Sequence, residues 1–289
     1  MKGYKLLLVI LFNLIISVAE IIGGILSGSL ALLADSFHNL TDTFSLALSY
    51  FAIRIGKKSP NPEKTFGYKR AEIIAAFLNS AVMMVIAAFL VFEGIKRISN
   101  PHEIEGGIMM TVAIIGLLGN FASILFLKKD MKHSLNVRAA FLHLLSDTVS
   151  SVAVVLGGLF IILYNFYLLD PLITFLLAVF IFRESFLIFK ETLDILMQGT
   201  PPGIKIKTIK RKLEEESNVR NIHHIHIWRL SDSDLNFEAH VKLGEDCNAS
   251  RIDKLRKKLE KILEKEFHIG HTTLQFELGE CSKRINRKD

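Results

Sequence analysis

Apolar residues fill long blocks over the first two thirds of the chain and short periodic runs over the last third. Six blocks, at 6–26, 30–53, 71–92, 107–127, 137–164 and 169–189, are each close to the ~20 residues a helix needs to cross a bilayer. The connections between them alternate in charge. Ser27-Gly28-Ser29 carries none, whereas 54–70 holds Arg54, Lys57, Lys58, Lys64, Lys69 and Arg70, with Pro60 and Pro62 breaking any helix. The third has only Lys96 and Arg97 against Glu103 and Glu105, the fourth carries Lys128, Lys129, Lys132 and Arg138, and the fifth, 165–170, has no base. Basic connections stay on the cytoplasmic side, so both termini are expected there, with odd helices running outward and even ones inward.

After Gly199-Thr200-Pro201-Pro202-Gly203 the chain turns polar, and this Pro/Gly break reads as a domain boundary. Residues 204–216 have helical spacing, with Ile206, Ile209 and Leu213 on one face and lysines opposite. Residues 219–230 and 235–243 alternate and are rich in β-formers, joined by the turn Ser231-Asp232-Ser233-Asp234. A charged amphipathic helix at 249–267 and a third strand at 271–278 follow, giving the order α-β-β-α-β. The predicted fold is an α-helical polytopic membrane protein with six transmembrane helices and a small C-terminal α+β ferredoxin-like cytosolic domain. Its expected divisions are 1–199 (membrane-spanning), 200–280 (cytosolic ferredoxin-like) and a loose tail at 281–289.

Composition agrees with this pattern. The 289 residues are 50% hydrophobic with mean hydropathy +0.36, too apolar for an ordinary soluble domain. The net charge of +6 would suggest nucleic acid in a soluble protein, but the bases sit between apolar blocks, where topology accounts for them and no nucleic-acid partner is expected. Two cysteines, Cys247 and Cys281, are too few for a disulfide framework and fit a reducing compartment. The start, Met1-Lys2-Gly3-Tyr4-Lys5 before an apolar run, mimics a signal peptide, yet no small-residue cleavage site follows, and a retained first helix is predicted.

The second and fifth blocks contain ionisable groups, each costing about 2.5–3.5 kcal/mol at the bilayer centre. His38 and Asp42 lie four apart, on one helical face. The pattern returns 105 positions later as His143 and Asp147 (143 − 38 and 147 − 42 agree). Two imidazoles and two carboxylates complete a tetrahedral shell for a borderline ion such as Zn²⁺, and they leave no open position for an activated water. Each pair hydrogen-bonding within its own helix is the competing reading, and the duplication in two spans weighs against it. Asp35 belongs to the same stripe and is read as capping or orienting the helix and its ligands, with widening of the ion path as the alternative. Asn13, Glu20, Asn79 and Asn120 are open to two readings, interhelical hydrogen bonding or lining of an ion path.

In the polar third, strict alternation would put His224, His226 and Trp228 on one face of their strand and His223 on the other. A cytosolic metal site drawn from His223, His240 and Glu277, with His271 and Cys281 in reserve, competes with ordinary surface histidines.

SGSLALLADSFHNLTD, TFGYKRAE, LNVRAAFLHLLSDTVSSVAVVLGG, HHIHIWRL and GHTTLQFE resemble the cation diffusion facilitator family of zinc transporters over nearly the whole chain. The resemblance implies six helices, a cytosolic ferredoxin-like domain, a homodimer and exchange of metal for protons. It assigns transport to His38, Asp42, His143 and Asp147, in the form with His first that resembles the zinc-preferring type. It pairs Arg70 with an acid after the sixth span, here Asp194. Two departures stand out: residues 55–67 hold no His or Cys for the loop metal site of some members, and the usual Asp of the cytosolic motif is His224. Only His133 remains of a His-rich loop between spans four and five.

The expected function is secondary efflux of divalent cations, Zn²⁺ foremost, from the cytosol across the cell membrane in exchange for protons, with Zn²⁺ also regulating the cytosolic domain. Within transport, Cd²⁺, Co²⁺, Fe²⁺ or Mn²⁺ are alternative substrates. Outside it stand a membrane metalloenzyme, which lacks an HExxH sequence here, and a metal sensor that does not transport.

Overall fold

The computed structural model describes residues 3–128, 135–231 and 234–279, with side chains for all of these except 3–10, 46, 49, 126–128 and 135–144. A backbone in lipid must satisfy its own hydrogen bonds, and the apolar blocks do so as helices. They are α1 (Gly3–Ser27), α2 (Leu30–Gly56), α3 (Ala71–Ser99), α4 (Gly106–Lys128), α5 (Leu135–Tyr164) and α6 (Leu169–Leu196). Stretches within α3, α4, α5 and α6 are long and apolar enough to cross a membrane. The polar run from Asp35 to Ser45 lowers the hydropathy of α2. Large apolar side chains such as Val85, Phe92, Leu118 and Leu176 stay exposed, as a lipid solvent allows.

One compact unit comprises residues 1–52 and 75–189. In it α4 packs against both α1 and α5. Close approach needs small residues: a Cβ at Gly23 would collide with Val112, and one at Gly116 with the Glu20 carboxylate. The start of α2 is held from α6. Ser29 Oγ accepts from the Leu32 N–H at 3.1 Å and donates to Asp170 Oδ1 at 2.5 Å. The same carboxylate accepts from the N–H groups of Leu30 (2.9 Å) and Ala31 (3.1 Å), donors that a helix start otherwise leaves orphaned.

The second unit comprises residues 53–74 and 190–289. Its helices α7 (Ile206–Glu214) and α8 (Ala249–Phe267) cover one face of a three-stranded sheet of β1 (Val219–Arg229), β2 (Leu235–Leu243) and β3 (His271–Glu277), in the order β1-β2-β3. The hairpin β1–β2 is antiparallel and β2–β3 parallel, with α8 as the crossover. Ile209, Leu213, Leu259 and Leu263 from the helices meet Ile222, Ile227, Phe237, Ala239 and Val241 from the sheet. Asn248 caps α8 by accepting from the Arg251 N–H at 3.0 Å.

The sheet departs from strict alternation at one place. His223 pairs with His240 but His226 pairs with Glu238, so His224 and Ile225 together face Ala239 alone. This bulge, with His224 at φ 53°, flips the register. Ile222 and Ile227 therefore both reach the core, and His223, His226 and Trp228 share the face away from the helices, contrary to the alternation read from the sequence.

Candidate metal centres

Two clusters of metal-ligating groups occur among the described residues, one in each unit. In the first, α2 supplies His38 and Asp42 from successive turns of one face, and α5 supplies Asp147. His38 Nε2 lies 3.5 Å from Asp42 Oδ2 and 3.7 Å from Asp147 Oδ1. One donor atom from each of the three lies within 4.8 Å of the others, a spacing one cation can bridge. His38 and Asp147 are buried and Asp42 is half-buried. The side chain of His143 lies outside the described residues; its backbone belongs to α5, one turn before Asp147.

Asp35 sits beside this cluster but does not cap α2, whose first turn is already served by Ser29 and Asp170. It lies more than a turn inside the helix and accepts instead from α5, from Ser150 Oγ at 2.5 Å and Ser151 Oγ at 2.9 Å. Ser151 in turn accepts from Asn120 Nδ2 of α4 at 3.3 Å. The chain Asp35–Ser151–Asn120 thus links the three helices behind the cluster and sets the rotation of α2 against α5. Ser150 closes the repeat that begins at His143, whereas Ser151 was not singled out in the sequence; its place four residues after Asp147 is the signal that finds it.

In the second cluster, Glu277 at the end of β3 spans two imidazoles. Its Oε1 is 2.9 Å from His223 Nε2 and its Oε2 is 3.3 Å from His240 Nδ1. Two nitrogens and a carboxylate form a donor set that suits a borderline divalent ion. His224, lifted by the bulge, brings its ring to 5.1 Å from that of His240 and 5.8 Å from that of His226.

His271 is not brought into this cluster. An extended strand advances about 3.3 Å per residue, so the six residues from His271 to Glu277 separate the two by about 20 Å. It pairs with Asn236 and meets the ring of Phe66 edge-on at 6.5 Å. There it lines a cavity of about 490 Å³ with His226, Trp228 and Glu238. Cys281 lies outside the described residues.

Arg70 and Asp194 form no ion pair among the described residues. The Asp194 carboxylate packs against Gly199 where the chain leaves α6, and Arg70 Nε is buried without a hydrogen-bond partner. Their neighbours pair instead: Lys69 Nζ reaches Asp234 at 2.9 Å and Arg229 reaches Glu191 at 3.1 Å, both within the second unit.

Residues 6–197 match the cation efflux transmembrane domain and residues 201–278 match the cation efflux protein cytoplasmic domain. The chain belongs to the cation efflux family. It is a metal cation efflux transporter rather than an enzyme, which removes the metalloenzyme reading. A cadmium, cobalt and zinc/H⁺-K⁺ antiporter of Bacillus subtilis (strain 168) is 37% identical over 90% of this chain and 84% of its own length. The zinc transporter ZitB of Escherichia coli (strain K12) is 35% identical over 91% of this chain and 83% of its own. The metal-bound C-terminal domain of the Cupriavidus CzcD transporter, a solved structure, matches 26% of this chain and all of its own at 25% identity, with a TM-score of 0.24.

Proposed function

We propose that this protein exports Zn²⁺ from the cytosol in exchange for protons, through a tetrahedral site of His38, Asp42, His143 and Asp147 on α2 and α5. The observation that carries the reading is the convergence of His38, Asp42 and Asp147 donor atoms within 4.8 Å in the helical bundle. Three donors of this kind, with a second imidazole one turn from Asp147, suit Zn²⁺ better than Mg²⁺ or Ca²⁺, which prefer oxygen alone.

Four protein ligands close the shell, so the site serves binding and release. A metal must find the imidazoles deprotonated, and His has a reference pKa near 6.5, so metal and proton compete for the same nitrogens. A proton gradient directed inward then loads protons from outside and expels metal. Rocking of the helices would expose the site to each side in turn. The names of the relatives, zinc transporter and cadmium, cobalt and zinc/H⁺-K⁺ antiporter, support the substrate class and the antiport.

The same reading places both termini in the cytosol of a multi-pass protein of the cell membrane. Residues 200–280 pair two copies into a homodimer, and metal held by His223, His240 and Glu277 biases the dimer between transport states. Zinc uptake into proteoliposomes with an acidic lumen tests the core of this. The wild type accumulates zinc, and Asp147→Ala loses it by at least tenfold; undiminished uptake by that variant refutes the site. Competition by Cd²⁺, Co²⁺, Fe²⁺ and Mn²⁺ in the same assay ranks the substrates.

A further inference from the structure

Glu20, seven residues before the end of α1, is an ionisable side chain that forms no ion pair among the described residues. It is 1% exposed. Its one hydrogen bond is a long one, accepted at Oε2 from Asn39 Nδ2 at 3.3 Å. Oε1 has no hydrogen-bond partner among the described residues and presses on α4 at Gly116, where no Cβ fits. Asn13, two helical turns earlier on the same face, has a buried Oδ1 that is likewise without a partner. Among the described residues no Lys, Arg or His forms an ion pair with this carboxylate. The described side chains of α4 include no titratable group, α2 carries Asp35, His38, Asp42, Tyr50 and Arg54, and α5 carries Asp147.

An ionised carboxylate so placed pays for desolvation with no cation among the described residues to offset it. A divalent cation beside Asp147 would reverse the local field and favour the anion. Asn39, the neighbour of His38 on α2, gives a direct mechanical link between the metal-binding helix and Glu20.

We propose that Glu20 carries one of the counter-transported protons and releases it when a divalent cation arrives at the His38/Asp42/Asp147 cluster, without itself ligating the metal. The step is a proton transfer: the O–H bond of the Glu20 acid breaks, its electron pair stays on the carboxylate, and the proton passes to water. The inference rests on the antiport reading above, and the two fail differently.

The experiment uses the full chain in detergent and in proteoliposomes, with Zn²⁺ as the probe. Zinc titration in weakly buffered solution counts ions bound and protons released, and a dye inside vesicles follows the pH change during uptake. Glu20→Gln is expected to bind the same number of zinc ions, release one proton fewer per ion, and lose most of the stimulation of uptake by a pH gradient. Glu20→Asp restores the proton count. An unchanged proton-to-zinc ratio in Glu20→Gln overturns the proposal, whereas a wild type that takes up no zinc overturns the transport reading instead. Should Glu20→Gln not fold, infrared difference spectra of wild-type protein carrying ¹³C-labelled glutamate decide the point. A protonated glutamic acid band that vanishes on zinc binding is expected, and its absence from the zinc-free protein refutes the proposal.

Discussion

Ser29 and Asp170, 141 residues apart in the chain, share a hydrogen bond of 2.5 Å that fixes where α2 begins. The same carboxylate takes the N–H groups of Leu30 and Ala31, so α6 supplies the cap that α2 cannot complete alone. His38 lies eight residues from Leu30, a little over two turns, and its depth depends on this anchor.

Replacing Asp170 by Ala leaves two buried N–H groups and the Ser29 hydroxyl without their acceptor. A lost cap costs about 0.5–2 kcal/mol, and burial moves this case to the upper end. Thermal unfolding in detergent should fall by roughly 2–4 °C per kcal/mol lost. Asp170→Asn, which keeps one acceptor oxygen, should fall less. Equal stability of wild type and Asp170→Ala would show the cap to be redundant.

If His38 ligates the metal as proposed, His38→Asp exchanges an imidazole donor for a carboxylate. Carboxylate-rich shells suit Mn²⁺ and imidazole suits Zn²⁺, so the Zn²⁺-to-Mn²⁺ uptake ratio should fall by tenfold or more. Parallel uptake assays with the two ions check this. An unaltered ratio would mean that His38 does not set the preference.

Glu277→Gln removes the carboxylate that spans His223 and His240. Metal affinity of the second cluster should weaken at least as much as the 10–100-fold that loss of an outer-shell partner costs. Equilibrium dialysis of the full chain should then count one weaker site per protomer, with binding at the proposed site between α2 and α5 unchanged. His271→Ala should leave both counts as they are, because His271 faces the cavity at the other end of β3. A loss of cluster affinity in His271→Ala would contradict that placement.

Much of the architecture was legible because hydropathy and period are local signals. The six apolar blocks became six helices, and alternation in 235–243 gave β2 with Phe237, Ala239 and Val241 on the core face. The spacing of His38 and Asp42 was legible for the same reason, since four residues on a helix fix a shared face. What failed were features decided by a partner elsewhere in the chain. The bulge at His224 depends on the register of β2, and a single αL residue turned His223 onto the face expected for its neighbours. Asp170 read as one acid in a connection without bases, because nothing nearby in sequence reveals that it caps α2. Arg70 and Asp194, matched by resemblance alone, form no ion pair among the described residues, where Lys69 pairs with Asp234 and Arg229 with Glu191.

The Lys69–Asp234 pair gives a pH dependence with a definite sign. The Lys69 ammonium, then the Ser231 hydroxyl, hydrogen-bond to the Asp234 carboxylate and lower its pKa below the ordinary 3.8. A carboxyl with a depressed folded-state pKa contributes stability that is fully present above its ordinary value and is lost as pH falls through the lower, folded one. Asp234 and Lys69 are 41% and 44% exposed, so solvent screens the pair and its contribution stays under about 1 kcal/mol. Asp234→Asn should therefore lower thermal stability slightly at pH 7 and match the wild type once the pH lies below the folded pKa. Lys69→Ala should shift the carboxyl resonance of Asp234, followed by ¹³C NMR, to a higher titration midpoint. A midpoint that does not move on removing Lys69 would assign the shift to Ser231 alone.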